Sequence, residues 1–198
     1  MPRLIALNGP PGCGKSTIAR RYADNHPPAL VLDVDRVRDL IAGDLAEAGR
    51  LARDIAISAA RTHLTSGHDV IVPQFLGRPE FLDRLCALAA DVGVEYHEIV
   101  LHDTRENAIR RFLERGTVQA TPAELSAMYD NLQAVIATRH PTVIPSVEGD
   151  PAHTYHTLLA ALNVQLGVPE RRTRPWGGVG PTRAAVGTGR RGGEREAP

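Results

Sequence analysis

Apolar residues fall in short solid runs separated by stretches where they recur every three to four positions. Leu4 to Leu7 is the first run, short and uninterrupted as a strand buried on both faces is. It stops at Asn8-Gly9-Pro10-Pro11-Gly12, which can continue neither a strand nor a helix. From Lys15 to about Asn25 the spacing puts Ile18, Ala19 and Tyr22 on one helical face, and His26-Pro27-Pro28 ends it. Ala29 to Leu32 predicts a second strand, followed by helical patterns over about 36–48 and 51–65, with a break at Ser66-Gly67. Val70-Ile71-Val72 predicts a third strand. A helix over about 79–92 carries Phe81, Leu82, Leu85, Leu88 and Ala89. Then come a strand over about 94–101, a helix near 104–115, a loop from Gly116 to Thr121 and a helix over about 122–138. A short strand from Thr142 to Ile144 and a helix near 151–162 complete the pattern.

Short apolar strands alternating with helices predict an α/β fold of βαβ units, with about five parallel strands covered by helices on both faces. The crossovers are expected to be right-handed, and ligands to bind beyond the carboxyl ends of the strands. The periodic body ends near residue 162. Residues 163–198 contain 8 Gly and 4 Pro and little that is apolar, so they are expected to form a disordered tail. Its Arg-Gly-Gly character would suit contact with RNA or a partner, or a simple flexible extension.

Composition narrows the class. Apolar residues make up 42% of the 198, enough for a packed core. No apolar run approaches the ~20 residues that span a bilayer, and the first residues do not form a secretory signal. No membrane association is therefore expected. Cys13 and Cys86 make neither a disulfide framework nor a metal pattern, so a reducing cytoplasm is the expected setting. The net charge of zero conceals a split. Residues 1–162 carry 16 basic and 20 acidic side chains, and the tail carries 7 Arg and 3 Glu. An acidic body does not favour nucleic acid as partner. Of the 23 basic residues 22 are Arg, and the one lysine is Lys15.

That lysine completes Gly9-Pro10-Pro11-Gly12-Cys13-Gly14-Lys15-Ser16, which fits G-x-x-x-x-G-K-[ST] between a predicted strand and a predicted helix. Gly9, Gly12 and Gly14 would let successive N–H groups turn inward around an anion. The helix start adds its positive dipole end and free amides. Lys15 would reach the β- and γ-phosphates of ATP, and Ser16, with Thr17 behind it, would offer a hydroxyl to Mg²⁺. Cys13 reads as a small loop residue rather than a nucleophile.

Past the second strand lies Leu32-Asp33-Val34-Asp35-Arg36-Val37-Arg38. Asp35 can accept the proton of an attacking hydroxyl, or cap the helix that follows. Asp33 competes with it as base, or stands behind Mg²⁺ through water. Arg38, one turn on, can steer an acceptor or hold the carboxylate. Farther on, Arg111 and Arg115 share a helix face. Such arginines can stabilise charge on a phosphoryl group in flight, stack on adenine, or sit at a helix end as solvated cations. His153 and His156 lack a third metal ligand.

Asn8 to Thr17, Asp35-Arg36-Val37-Arg38, Pro79-Glu80 and Arg111 through Arg115-Gly116-Thr117 together resemble the P-loop kinases of the zeta-toxin, chloramphenicol phosphotransferase and polynucleotide 5′-kinase group. The resemblance covers roughly residues 3–162 and implies a P-loop NTPase fold. It further implies Asp35 as general base, Arg38 on the acceptor side, and Arg111 and Arg115 as lid cations on ATP. One departure stands out. Such kinases often carry an Asp after the third strand, whereas this chain has Gln74, a poor anchor for Mg²⁺ but able to orient an acceptor. Arg78 follows, either recognising the acceptor or starting a surface helix. The expected activity is transfer of the γ-phosphoryl group of ATP to a hydroxyl of a nucleoside, sugar or antibiotic lying among Asp35, Arg38, Gln74 and Arg78. A polynucleotide 5′-OH kinase and an ATP-binding regulatory module are the alternatives.

Overall fold

In the computed structural model, which describes residues 1–115 and 120–163, five parallel strands form one sheet in the order β2-β3-β1-β4-β5. They are β1 (Arg3–Asn8), β2 (Leu30–Val31), β3 (Val70–Pro73), β4 (Glu95–His102) and β5 (Thr142–Pro145). The helices between and after them are α1 (Lys15–Asn25), α2 (Val34–Asp39), α3 (Leu45–Thr65), α4 (Pro79–Val92), α5 (Arg105–Arg115), α6 (Pro122–Arg139) and α7 (Pro151–Ala161). Most of the expected loop at 116–121, the expected tail and the side chain of Arg115 lie outside the described residues. No helix among those described is long and apolar enough to cross a membrane.

The central strand shows why the apolar runs are solid. Leu4 and Ala6 of β1 pack into one core with Val70, Val72 and the helices α3 and α4. Ile5 and Leu7 pack into another with Ile18 and Tyr22 of α1 and Leu158 and Leu159 of α7. Period-2 geometry sends alternate residues to opposite faces, so the stretch of a strand covered on both faces favours apolar residues at successive positions. Each of these four residues is fully buried, worth about 1.5–3 kcal/mol apiece for the larger ones. α1 is also tied to the sheet by a polar bond. Tyr22 donates its hydroxyl to Asp69 Oδ2 at 2.6 Å, and Asp69 accepts from the backbone N–H of Arg3. Burial, reinforced by that carboxylate, raises the Tyr22 phenol above its ordinary range.

One helix boundary differs from the sequence expectation. The break between the second and third helices falls at residues 40–44 rather than near 49–50. Gly43 takes φ +117, and Asp44 caps α3 by accepting from the N–H groups of Ala46 and Glu47. Gly49 instead continues the helix. The strand before α2 is also shorter than expected, Leu30–Val31. At every other described element the expected and observed positions agree to within about two residues.

The order of strands places a crossover reversal at β1. The chain leaves β1 for β2 and β3 on one side, then crosses to β4 and β5 on the other. Crevices open at such a reversal, beyond the carboxyl ends of the strands, and β1 ends at Asn8.

Candidate active site

The loop after β1 has the conformation its glycines permit. Gly9 sits at φ +149 so close to β4 that a Cβ would lie 2.6 Å from Leu101 O and 2.8 Å from Cys13 Sγ. Gly14 is the N-cap of α1 at φ 89, a left-handed conformation open to glycine at little cost, and no side chain caps the helix. The first-turn amides of α1 are therefore free to bind an anion, unlike those of α2, α3, α6 and α7, each capped by a side chain. Cys13 is buried, as a packing residue rather than a nucleophile would be. Lys15 donates from Nζ to Gly9 O at 2.8 Å and Pro10 O at 2.9 Å, so its ammonium lies across the loop. Ser16 and Thr17 are exposed at the start of α1. This donor set fits a polyphosphate: the uncapped amides of a helix N-terminus and one ammonium. Among the described residues no three His, Cys, Asp or Glu side chains converge to hold a metal. A Mg²⁺ would therefore fit only as an ion shared by Ser16, phosphate oxygens and water.

The loop is braced from both sides by residues that sequence reasoning did not single out. Asn8 is fully buried. Its Oδ1 accepts from the N–H groups of Gly9 and Leu76, and its Nδ2 donates to Leu76 O, joining the phosphate loop to the segment after β3. Replacing Asn8 with Leu would leave three buried backbone groups without partners at about 1–3 kcal/mol each. We expect a loss of about 3 kcal/mol or more, a fall of roughly 8 °C in the melting temperature by calorimetry. A change under 2 °C would contradict this role. On the other side Ser146, just past β5, donates to Cys13 O at 2.8 Å.

Arg111 closes that second brace. Its Nη1 donates to Asp103 Oδ2 at 2.7 Å and to Ser146 Oγ at 3.2 Å, and both charged side chains are largely buried. Arg111 is thus engaged under the loop, beside Gly12, whose backbone packs against α5. Arg111→Met would strand the Asp103 carboxylate and cost about 3–5 kcal/mol in denaturant unfolding, with Asp103→Asn in the same chain restoring much of it. Arg115 begins no such network that can be described, since its side chain lies outside the described residues. Arg110, by contrast, is tied to Glu148 and Glu114.

The carboxylates after β2 divide. Asp33, not Asp35, caps α2: it accepts from Arg36 N and lies 3.6 Å from Arg36 Nε. Asp35 points elsewhere. Its Oδ1 accepts from Arg38 Nη1 at 2.8 Å and its Oδ2 from Gln74 Nε2 at 2.9 Å. Gln74 stands at the end of β3, and its backbone N–H donates to Leu7 O of β1, next to the phosphate loop. Three sequence-predicted residues, Asp35, Arg38 and Gln74, therefore meet at one wall of a cavity of about 100 Å³. Gly49 and Arg53 of α3 and Phe75 also line it, with Val34, Leu76 and Phe81 as its apolar remainder, and only their position in space reveals them. Arg78 is not among the lining residues. It is the exposed N-cap of α4.

The family described as AAA domain matches the chain over residues 4–135. No curated protein matches it. Several solved structures share its fold. A tunicamycin resistance protein from Deinococcus radiodurans is 19% identical with a TM-score of 0.66, covering 85% of this chain and 100% of its own. A gluconokinase from Sinorhizobium meliloti is 17% identical with a TM-score of 0.59, covering 82% and 92%. The Mycobacterium tuberculosis APS kinase CysC in complex with AMPPNP and APS is 17% identical with a TM-score of 0.56, covering 82% and 98%. At these identities the likeness shows the fold alone.

Proposed function

The chain belongs to the AAA domain family, and from that premise we propose that it is a phosphotransferase moving the γ-phosphoryl group of ATP to a hydroxyl of a small molecule. The observation that carries the reading is the Asp35 carboxylate, gripped on one oxygen by Arg38 and on the other by Gln74 at a cavity wall joined to the phosphate loop. Each carboxylate oxygen keeps lone-pair capacity for a further hydrogen bond, so the grip orients Asp35 without using it up. Gluconokinase and APS kinase activities among proteins of the same fold, one with AMPPNP bound, are consistent with ATP as donor.

In this reading the acceptor hydroxyl lies against Asp35. Asp35 takes its proton as the acceptor oxygen bonds to phosphorus and the bond from phosphorus to the departing ADP oxygen breaks. Lys15 and the backbone amides at the start of α1 hold the phosphate oxygens where negative charge grows. Mg²⁺, when bound, neutralises phosphate charge, and Ser16 is the residue that would hold it. Arg38 and Gln74 keep the base turned toward the hydroxyl. Arg111 steadies the loop through Ser146, and Arg115, one turn on, supplies a cation on the nucleotide side. Asp33, occupied by its own helix, is a cap rather than the base. The body of residues 1–162 does this work.

The test is ADP release from ATP and Mg²⁺ with nucleosides, sugars and aminoglycosides, against a 5′-OH oligonucleotide. We expect phosphoryl transfer to a small acceptor. Labelling of the oligonucleotide alone would make the protein a polynucleotide kinase. Tight ATP binding with no transfer to any acceptor would make it a nucleotide-binding module.

A further inference from the structure

Helix α3 carries three arginines, and two are tied off. Arg50 pairs with Glu47 and Asp54, and Arg61 pairs with Asp91. Arg53 has neither ion pair nor side-chain hydrogen bond among the described residues, and it is the one that lines the cavity beside Asp35. Nearby, Arg38 Nε and Gln74 Oε1 are buried with no hydrogen-bond partner. Buried polar atoms without partners are uncommon and mark places where a ligand can supply the missing bond. The charged groups of the lining are Asp35, Arg38 and Arg53, one anion against two cations.

Gly49 supplies the room. It lies one turn before Arg53 on the same wall, in the interior of α3. A glycine there is less favourable than alanine for the helix. Nothing in the fold requires it: an added Cβ would meet only Arg53 Nη1, at 3.7 Å. What the missing side chain does provide is free space against the guanidinium.

We propose that Arg53 and Gly49 form an anion subsite in this cavity, so that the acceptor carries a carboxylate or a phosphate in addition to the hydroxyl facing Asp35. A planar guanidinium can take either group through two parallel N–H···O bonds. Arg38 Nε adds a further donor, and Gln74 Oε1 accepts from a hydroxyl of the same ligand. The word acceptor rests on the phosphotransferase reading; the anion subsite rests on the cavity alone.

The experiment titrates glucose, gluconate, glucose 6-phosphate, adenosine and adenosine 3′-phosphate into the full chain by calorimetry, then assays the same compounds for ATP-dependent phosphorylation. An anionic member is expected to bind at least tenfold tighter than its neutral parent. The gluconate and glucose 6-phosphate arms separate carboxylate from phosphate. Arg53→Gln, an exposed and unpaired position, should weaken the anionic ligand about 10- to 100-fold and leave the neutral parent within twofold. Gly49→Leu should abolish binding of that ligand while ATP affinity stays within twofold. Equal binding of neutral and anionic members, no binding by any of them, or an anionic ligand bound unchanged by Arg53→Gln would each overturn the proposal. Binding that depends on Arg53 without phosphoryl transfer would defeat the phosphotransferase reading and leave the subsite standing. Transfer to neutral acceptors alone would do the reverse.

Discussion

Lys15→Met should reduce phosphoryl transfer by about a thousandfold or more and weaken ATP about 10- to 100-fold. The first figure follows from removing a preorganised donor aimed at charge that grows in the transition state. The second follows from losing a charge-assisted bond to the ground-state phosphates. The ammonium's present partners are two backbone carbonyls of the loop itself, so its three N–H groups can exchange those bonds for phosphate oxygens by a small rotation of a flexible stem. Methionine fills nearly the same space, which keeps the loop's packing while deleting the charge. Steady-state kinetics and ATP calorimetry check the two numbers. The composition offers an independent check. Lys15 is the chain's one lysine, so amine acylation should place a single modified side chain in the peptide map. ATP should protect it, and unprotected modification in saturating nucleotide would count against contact between this ammonium and the phosphates.

Asp35→Asn should lower kcat by about 10²- to 10⁴-fold, the range for loss of a general base. ATP affinity should move less than threefold, since Asp35 bonds Arg38 and Gln74 and none of the phosphate-loop residues. Its side chain is half exposed, so the ion pair it loses is worth little and stability should change by under about 1 kcal/mol. An active, stable Asp35→Asn protein would remove the carboxylate from its proposed role. The comparison with Asp33→Asn then separates base from cap: that variant should lose about 1 kcal/mol of stability and keep transfer within a few-fold.

Much of this molecule could be anticipated from local chemistry. The solid runs Leu4–Leu7 and Val70–Val72 foretold strands buried on both faces, because a polar side chain there is costly unless, like Asn8, it finds hydrogen-bond partners. Gly9, Gly12 and Gly14 foretold a tight turn between β1 and α1, since each takes a positive φ that glycine adopts at little cost. The boundary at residues 40–44 was missed because Gly43-Asp44 and Ala48-Gly49 offer similar helix-breaking signals. What distinguishes them is that Asp44 reaches the amides of Ala46 and Glu47 while Gly49 lies inside a helix packed on the sheet through Ala48 and Ala52.

Between Asp33 and Asp35 the amino-acid order alone left the choice open, as both sit two positions apart at a strand end. The fold divides them by direction. One turns back onto its own helix, and the other meets Gln74 from a strand 39 positions further along the chain. Arg111 likewise reads as a free lid cation until Asp103 and Ser146 arrive beside it from β4 and β5. The amino-acid order by itself determined where the backbone turns and which residues are buried, because those depend on neighbours within a few positions. Which carboxylate faces the cavity, and which of the described arginines meet a carboxylate, only the tertiary structure decided, because charge pairing is set by distance in space between segments that the chain itself keeps far apart.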